Sequence, residues 1–230
     1  ANPTGYLHVG HGRGAAYGDS LARIMNKAGY NVHKEHYVND AGNQITNMAL
    51  SVYERYKELF GLKAEMKDDY YHGKEIITVA TKVKDAFGDK YLNNFDMDFF
   101  KEFGTNELLN NLKNDLNKFN VTFDTWFSEK SLYKNGAVSG VLSLLNEKEF
   151  TYKKDDALWL KTSDYGDEKD RVLIKNDGNY TYLTPDIAYH LDKFDRGFDE
   201  LIDVLGAEAA GNEKLKDAIA NLSVVYFDLK

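Results

Sequence analysis

The chain has 230 residues, of which 43% are hydrophobic and 29% are charged, and its formal net charge is −8. No apolar run approaches the ~20 residues that a membrane-spanning helix needs, and a cysteine count of zero excludes disulfides and thiolate-ligated metal sites. The acidic balance argues against a nucleic-acid binder that works through a broad basic face. We therefore expect a globular cytoplasmic protein that has no membrane contact and makes only local contacts with any RNA.

The chain opens with a pair of histidines, His8 and His11, separated by Val-Gly. Apolar residues follow at spacings of three and four up to Gly29, which predicts a helix closed by a glycine. The histidines would then lie at a helix N-terminus, where free backbone N–H groups and the helix dipole attract phosphate. Gly10 has no Cβ to keep a phosphate or a flat ring away from the backbone. Ordinary capping histidines are the alternative interpretation of an isolated pair at this spacing.

A strand is predicted within residues 30–38, and it leads into the polar turn Asn-Asp-Ala-Gly-Asn-Gln at residues 39–44. Open α/β sheets bind ligands at such strand ends. An Asx turn followed by a helix cap explains Asn39 and Asp40 equally well. Helical spacing at residues 45–60 then predicts a packing helix.

The middle of the chain predicts helices followed by a returning strand. Residues 61–120 are charged and helical in pattern, with Thr105 as a predicted N-cap. Residues 121–127 alternate apolar and polar side chains and predict a strand of the same sheet. Glu129 follows this strand, where a carboxylate either binds a cation or faces solvent. A further packing helix is predicted around residues 138–145.

A small β-rich region is predicted from residue 148 to residue 180. One of its strands, at residues 171–174, is predicted to pair with residues 180–183 across Asn-Asp-Gly, a strong hairpin signal.

The chain then passes through Pro185 into a helix predicted to begin near Asp186. Tyr182 and Asp186 together offer a planar guanidinium an aromatic wall and a carboxylate fork. An Asp in the first turn of a helix also serves simply as a partner of the helix dipole, and the sequence leaves both interpretations open.

Four separated stretches resemble a known family. His-Val-Gly-His at residues 8–11 resembles the His-Ile-Gly-His signature of class I aminoacyl-tRNA synthetases. The residues that flank this motif are similar to arginyl-tRNA synthetases. So are three later stretches: Tyr-Val-Asn-Asp-Ala-Gly-Asn-Gln at 37–44, Tyr-His-Gly at 71–73 and Tyr-Thr-Tyr-Leu-Thr-Pro-Asp-Ile-Ala-Tyr at 180–189. The resemblance runs from residue 1 to about residue 206. It implies an α/β fold with a Rossmann-like parallel-sheet nucleotide-binding core, a helical insertion and a small β-rich insertion.

The resemblance implies an arginine–tRNA ligase that uses ATP, with Mg²⁺ accompanying the nucleotide, to convert arginine to arginyl-adenylate and transfer it to tRNA(Arg). Since the carboxylate of the amino acid is the nucleophile, the protein has to position the substrates and stabilise charge. His8 and His11 are the expected catalytic residues, and they bind ATP together with Gly10; no protein-held metal is implied. The residues implied to bind arginine are Asn2, His8, Asp40, Gln44, Glu129, Tyr182 and Asp186.

The same resemblance divides the chain into consecutive segments. They are 1–60, the first half of the catalytic core; 61–120, the helical insertion; 121–147, a return to the core; 148–180, the β-rich insertion; 181–206, the second half of the core; and 207–230, a tail without an assignment.

Two departures from the family pattern concern activity. The second class I signature, Lys-Met-Ser-Lys-Ser, does not occur in these 230 residues, and Ala209-Ala210 stands where the family usually has a histidine pair. Because a phosphate loop of this kind normally follows a buried strand, we expect residue 1 not to be the natural start. The sequence therefore predicts a catalytic-domain fragment that is inactive alone and contacts tRNA through regions outside it.

Two other functions are compatible with these motifs. One is a Rossmann-fold nucleotidyltransferase that has an HxGH motif and acts on another small molecule. The other is a non-catalytic remnant that binds arginine or ATP.

Overall fold

The computed structural model describes residues 2–204. The predicted tail at 207–230, with its Ala209-Ala210 pair, lies outside the described residues. Contacts within the chain divide it into two compact units, Ala1–Ser128 and Glu129–Lys230. The finer division into six segments stays a prediction.

The first unit contains four helices and a two-stranded parallel sheet among its described residues. Strands β1 and β2 pair in parallel from Glu35 with Thr125 to Val38 with Ser128. The carboxyl ends of both strands therefore meet at one edge, which is where open α/β sheets bind ligands. The elements are α1 (Val9–Lys27), β1 (Glu35–Val38), α2 (Asn43–Glu58), α3 (Lys74–Phe87), α4 (Met97–Lys118) and β2 (Thr125–Ser128).

The predicted first helix and both predicted strands are confirmed, with shorter strands than the sequence suggested. Helix α1 ends at Lys27, and Gly29 follows it in the left-handed region with φ 97°. The N-cap prediction for Thr105 is wrong. Helix α4 starts at Met97, and the N-cap Asp96 accepts a hydrogen bond from the backbone N–H of Phe99 at 3.0 Å. The earlier start is favoured because the first turns of α4 bury aromatic rings in the core.

Helices α2, α3 and α4 enclose the main core of the first unit. Gly104 lies in α4 where a Cβ would stand 2.5 Å from Sδ of Met48 on α2. The glycine costs about 1 kcal/mol of helix propensity, and it permits the close approach of the two helices. The buried side chains of this core include Met48, Val52, Tyr56, Ile76, Val79, Val83, Phe100 and Leu108.

The second unit has helices packed with an antiparallel three-stranded sheet of order β3-β4-β5. Its elements are α5 (Glu129–Lys134), α6 (Ala137–Glu147), β3 (Thr151–Lys154), β4 (Ala157–Leu160), a 3₁₀ turn (Thr162–Tyr165), β5 (Arg171–Ile174) and α7 (Leu183–Asp195).

Glu129 directly follows β2, as the sequence predicted, and is the first residue of helix α5. Two predictions about the second unit need correction. The predicted hairpin partner of β5 is reduced to one bridge between Ile174 and Tyr180, because helix α7 already begins at Leu183. Asp186 is therefore not the start of α7 but lies within its first turn, and Pro185 immediately precedes it.

In the described part of the chain, no helix combines the length and apolar character needed to cross a membrane.

Candidate active site

The two predicted histidines build the N-terminus of α1 between them. His8 is the N-cap, and its Nδ1 accepts a hydrogen bond from the backbone N–H of Gly10 at 3.1 Å. Nδ1 of His11 accepts from the backbone N–H of His8 at 3.3 Å, which closes a capping box made of two imidazoles. Their rings are stacked with centroids 3.7 Å apart. The capping interpretation is thus part of the structure.

Capping also determines what the rings offer to a ligand. Because Nδ1 of each ring accepts a backbone N–H, a neutral imidazole here carries its proton on Nε2. Burial, and then the neighbouring His8, lower the pKa of His11, which favours its neutral form. The pair can therefore cap the helix through Nδ1 and donate to an anion through Nε2.

Gly10 has a more local role than the sequence suggested. A Cβ at this position would lie 3.0 Å from Cε1 and 3.1 Å from Nδ1 of His8. The missing side chain lets the His8 ring fold over the first turn of α1 and reach the backbone N–H of Gly10. Gly10 thus makes the capping box possible, and its predicted contact with ATP stays a prediction.

Two side-chain hydrogen bonds in the first unit join four polar residues, three of which the sequence had indicated. Oδ2 of Asp40, just after β1, accepts a hydrogen bond from Oγ of Ser128 at 2.6 Å. Ser128 ends β2, so the parallel register brings this pair to the carboxyl edge of the sheet. The side-chain amide of Asn2 donates to Oε1 of Gln44 at 2.6 Å. The structure therefore brings Asn2 and Gln44 together, and the sequence reasoning did not find Ser128.

The second unit contains an acid pair formed by Glu129 on α5 and Asp186 on α7. Burial raises the pKa of Asp186, and the charge of Glu129 raises it further against the opposing charge of His190, to about 6. A cation bound at Asp186 would favour the ionised form of this carboxyl group and lower its pKa.

Two tyrosines that the sequence reasoning missed border this acid pair. The phenol of Tyr133 donates to Oε1 of Glu129 at 3.4 Å, and its ring centroid lies 6.1 Å from that of Tyr180. Burial and the charge of Glu129 raise the pKa of Tyr133 to about 12, so the phenol stays protonated. Tyr180 stood in the family-like stretch at 180–189. Tyr133 lies one turn after Glu129 on the same helix α5, and this spacing of four residues is the local signal that could have indicated it.

Tyr182 lies four residues before Asp186, at the N-cap of α7. Its side chain is 57% exposed, which leaves its ring open to a ligand. A flat cation bound to Asp186 can therefore be stacked or flanked by aromatic rings, as the sequence predicted for Tyr182. The roles of all these residues stay predictions. Among residues 2–204, no group of three or more His, Asp or Glu side chains is arranged to hold a metal ion.

Known proteins of one family match this chain along nearly its whole length. A family model described as class I (R) tRNA synthetases, catalytic domain, matches residues 2–228. Arginine–tRNA ligases from Bacillus pumilus (strain SAFR-032) and Shouchella clausii (strain KSM-K16) are 52% and 54% identical over 226 and 214 residues. These alignments cover 96% and 92% of this chain but 41% and 38% of the relatives. The chain thus spans about two fifths of their length.

The solved structures agree with this match. A crystal structure from Campylobacter jejuni, described as an arginyl-tRNA synthetase, is 36% identical and superposes with a TM-score of 0.87. The superposition covers 97% of this chain and 50% of the Campylobacter jejuni chain. The Thermus thermophilus arginyl-tRNA synthetase, at 23% identity and a TM-score of 0.59, supports the fold alone. The predicted α/β fold with a Rossmann-like core and the predicted family are confirmed, and the chain belongs to the class I (R) tRNA synthetases as part of their catalytic domain.

Proposed function

We propose that the full-length protein containing this chain is an arginine–tRNA ligase, and that this chain supplies residues for both small substrates. The observation that carries the proposal is the acid pair of the second unit. Burial and then the charge of Glu129 raise the pKa of Asp186, and the rings of Tyr133 and Tyr180 lie beside Glu129. Guanidinium is planar, always charged and has five N–H donors, so it matches two carboxylates better than an ammonium does.

The first unit would hold the nucleotide. The Nε2–H groups of His8 and His11 can donate to phosphate oxygens at the positive end of α1. The carboxylate of arginine attacks the α-phosphorus of ATP, the bond from this phosphorus to the bridging oxygen breaks, and pyrophosphate leaves. The imidazoles would stabilise the negative charge that develops on the phosphates, which is their catalytic role in this proposal.

In the second step, a hydroxyl at the 3′ end of tRNA(Arg) attacks the acyl carbon of the adenylate and AMP leaves. The partners in this proposal are arginine, ATP with its Mg²⁺ as substrate, and tRNA. A cytoplasmic location belongs to the same proposal.

An arginine-dependent exchange of pyrophosphate into ATP, measured on the full-length protein with tRNA present, tests this function. Citrulline is the matched control, because its ureido group has nearly the shape of guanidinium without the charge. We expect exchange with arginine and none with citrulline or lysine. Equal exchange with citrulline would contradict the guanidinium site, and adenylation that ignores arginine would favour a nucleotidyltransferase. Binding of arginine without exchange would indicate a non-catalytic remnant.

A further inference from the structure

His190 on α7 bridges two oxygen acceptors that belong to different segments. Its Nδ1 lies 2.8 Å from the backbone carbonyl oxygen of Asp186, one turn earlier on the helix. Its Nε2 lies 3.0 Å from Oδ2 of Asp203, in the segment that follows α7. The imidazole is only 16% exposed. The ring thus links the turn that carries Asp186 to Asp203, which lies thirteen positions after His190.

The chemistry of the two acceptors determines the form of the ring. A neutral imidazole has one N–H group and can donate at one end only, whereas the imidazolium donates at both. Burial alone would raise the pKa of Asp203, but hydrogen bonds from His190 and Lys193 outweigh it and lower the pKa to about 2. Because both neighbours are oxygen acceptors, the bridge requires an N–H group at each ring nitrogen.

Lys193 is the second nitrogen partner of Asp203, and its side chain, like that of His190, is mostly buried. Its Nζ donates to Oδ1 of Asp203 at 3.2 Å and lies 4.3 Å from the centroid of the Tyr189 ring, which also packs edge-on against His190. Each carboxylate oxygen of Asp203 therefore has its own nitrogen partner, His190 at Oδ2 and Lys193 at Oδ1. A network with every member paired has essentially one arrangement, so it can hold a backbone turn in place.

We propose that His190 is a positioning residue for arginine recognition, acting by fastening the Asp186 turn of α7 to Asp203. This inference rests on the proposed function, because the proposed function makes arginine the ligand of Asp186 in this turn. The bond reaches the backbone carbonyl of Asp186 rather than its carboxylate, so the carboxylate keeps its acceptor positions for a ligand. A carboxylate that must meet a flat, bidentate donor depends strongly on such placement.

Two variants separate the two hydrogen bonds of His190. In His190→Asn, the amide nitrogen stands near the position of Nδ1 and keeps the bond to Asp186 but loses Asp203. In His190→Gln, the amide nitrogen stands near the position of Nε2 and keeps Asp203 but loses Asp186. Asp195→Asn is the matched control, because Asp195 is an exposed acid on the same helix.

Calorimetry and exchange kinetics on the full-length protein provide the measurements. We expect both His190 variants to raise the dissociation constant and the KM for arginine by about tenfold, since each loses one charge-assisted hydrogen bond. The dissociation constant for ATP and the kcat at saturating arginine should stay within about twofold, as should all constants of Asp195→Asn.

Three results would overturn the inference. Folded His190 variants that bind arginine like the wild type would exclude a positioning role. An equal loss of arginine and ATP binding would indicate a purely structural residue. If the variants fold poorly, nitrogen-15 NMR spectra of His190 in the wild type test the inference instead. A neutral ring would contradict it, because a neutral ring can donate to only one of the two acceptors. Failure of the wild type to bind arginine is a separate outcome, which removes the proposed function and this inference together.

Discussion

The carboxylates of Glu129 and Asp186 lie close enough in the second unit for the charge of one to raise the pKa of the other. The two residues are far apart in sequence and come from different helices, α5 and α7. Burial is the main cause of the raised pKa of Asp186, and the charge of Glu129 adds to it, so the ionised form of Asp186 is unfavourable here. Carboxyl groups with perturbed pKa values are common where a charged ligand binds.

Arginine binding should weaken as the pH falls below about 6, the pKa of Asp186. Protonation removes one of the two charges that face the guanidinium, and it replaces an acceptor by an O–H group. Below the pKa we expect the dissociation constant for arginine to rise about tenfold per pH unit. Calorimetric titrations between pH 5 and 8 measure this, with ATP as the control ligand. An arginine affinity that is constant from pH 5 to 7 would show that Asp186 does not contact the ligand.

Asp186→Asn should abolish arginine binding and stabilise the unliganded protein. The folded-state pKa of about 6 lies above the ordinary value of 3.8. The protonated group therefore favours folding at low pH, and this contribution is lost as the pH rises through 6. At pH 7 the ionised group destabilises the fold by up to about 3 kcal/mol, which the neutral amide avoids.

Urea denaturation of Asp186→Asn at pH 7 and at pH 4.5 tests whether the ionised carboxylate of Asp186 destabilises the folded protein. The gain in the free energy of unfolding should be larger at pH 7, whereas the exposed-acid variant Asp195→Asn should show no such difference. A loss of stability at pH 7 would mean that Asp186 has a favourable partner in the folded protein.

His11→Ala should slow the arginine-dependent exchange reaction by about 100-fold to 1,000-fold while arginine binding survives. The ring supplies a donor to the phosphates in the proposed reaction, and it does not belong to the acid pair. Because His11 also caps α1 by accepting from the backbone N–H of His8, the variant should lose about 1 kcal/mol of stability. Exchange rates at saturating arginine and a thermal melt separate the two effects. A rate within a few fold of the wild type would show that His11 caps α1 and has no catalytic role.

Gly104→Ala should destabilise the first unit by about 1–3 kcal/mol, although alanine is the better helix former. The added Cβ would meet Sδ of Met48 at 2.5 Å. Gly140→Ala is the matched control, because Gly140 also lies inside a helix but a Cβ there meets nothing within 4 Å. We expect Gly140→Ala to stabilise the protein by about 0.5–1 kcal/mol. Stabilisation by both substitutions would mean that α2 and α4 pack less closely than described.

Local patterns were sufficient for the candidate phosphate-binding residues of the first unit. His8, Gly10 and His11 lie within four consecutive residues at a helix start, so their proximity follows from chain connectivity. The helix itself was predictable because apolar periodicity and Gly29 mark its course and its end. Thr105 shows where such reasoning fails, because aromatic packing of α4 places the N-cap nine residues upstream, at Asp96.

The sequence by itself determined the family, the first helix and the two strands of the parallel sheet. Only the tertiary structure decided that Ser128 holds Asp40 and that His190 reaches Asp203. These contacts join residues through packing and strand register, which no local pattern encodes. The pKa of Asp186 likewise depends on burial and on a neighbour 57 positions earlier in the chain, so it exists only in the folded protein.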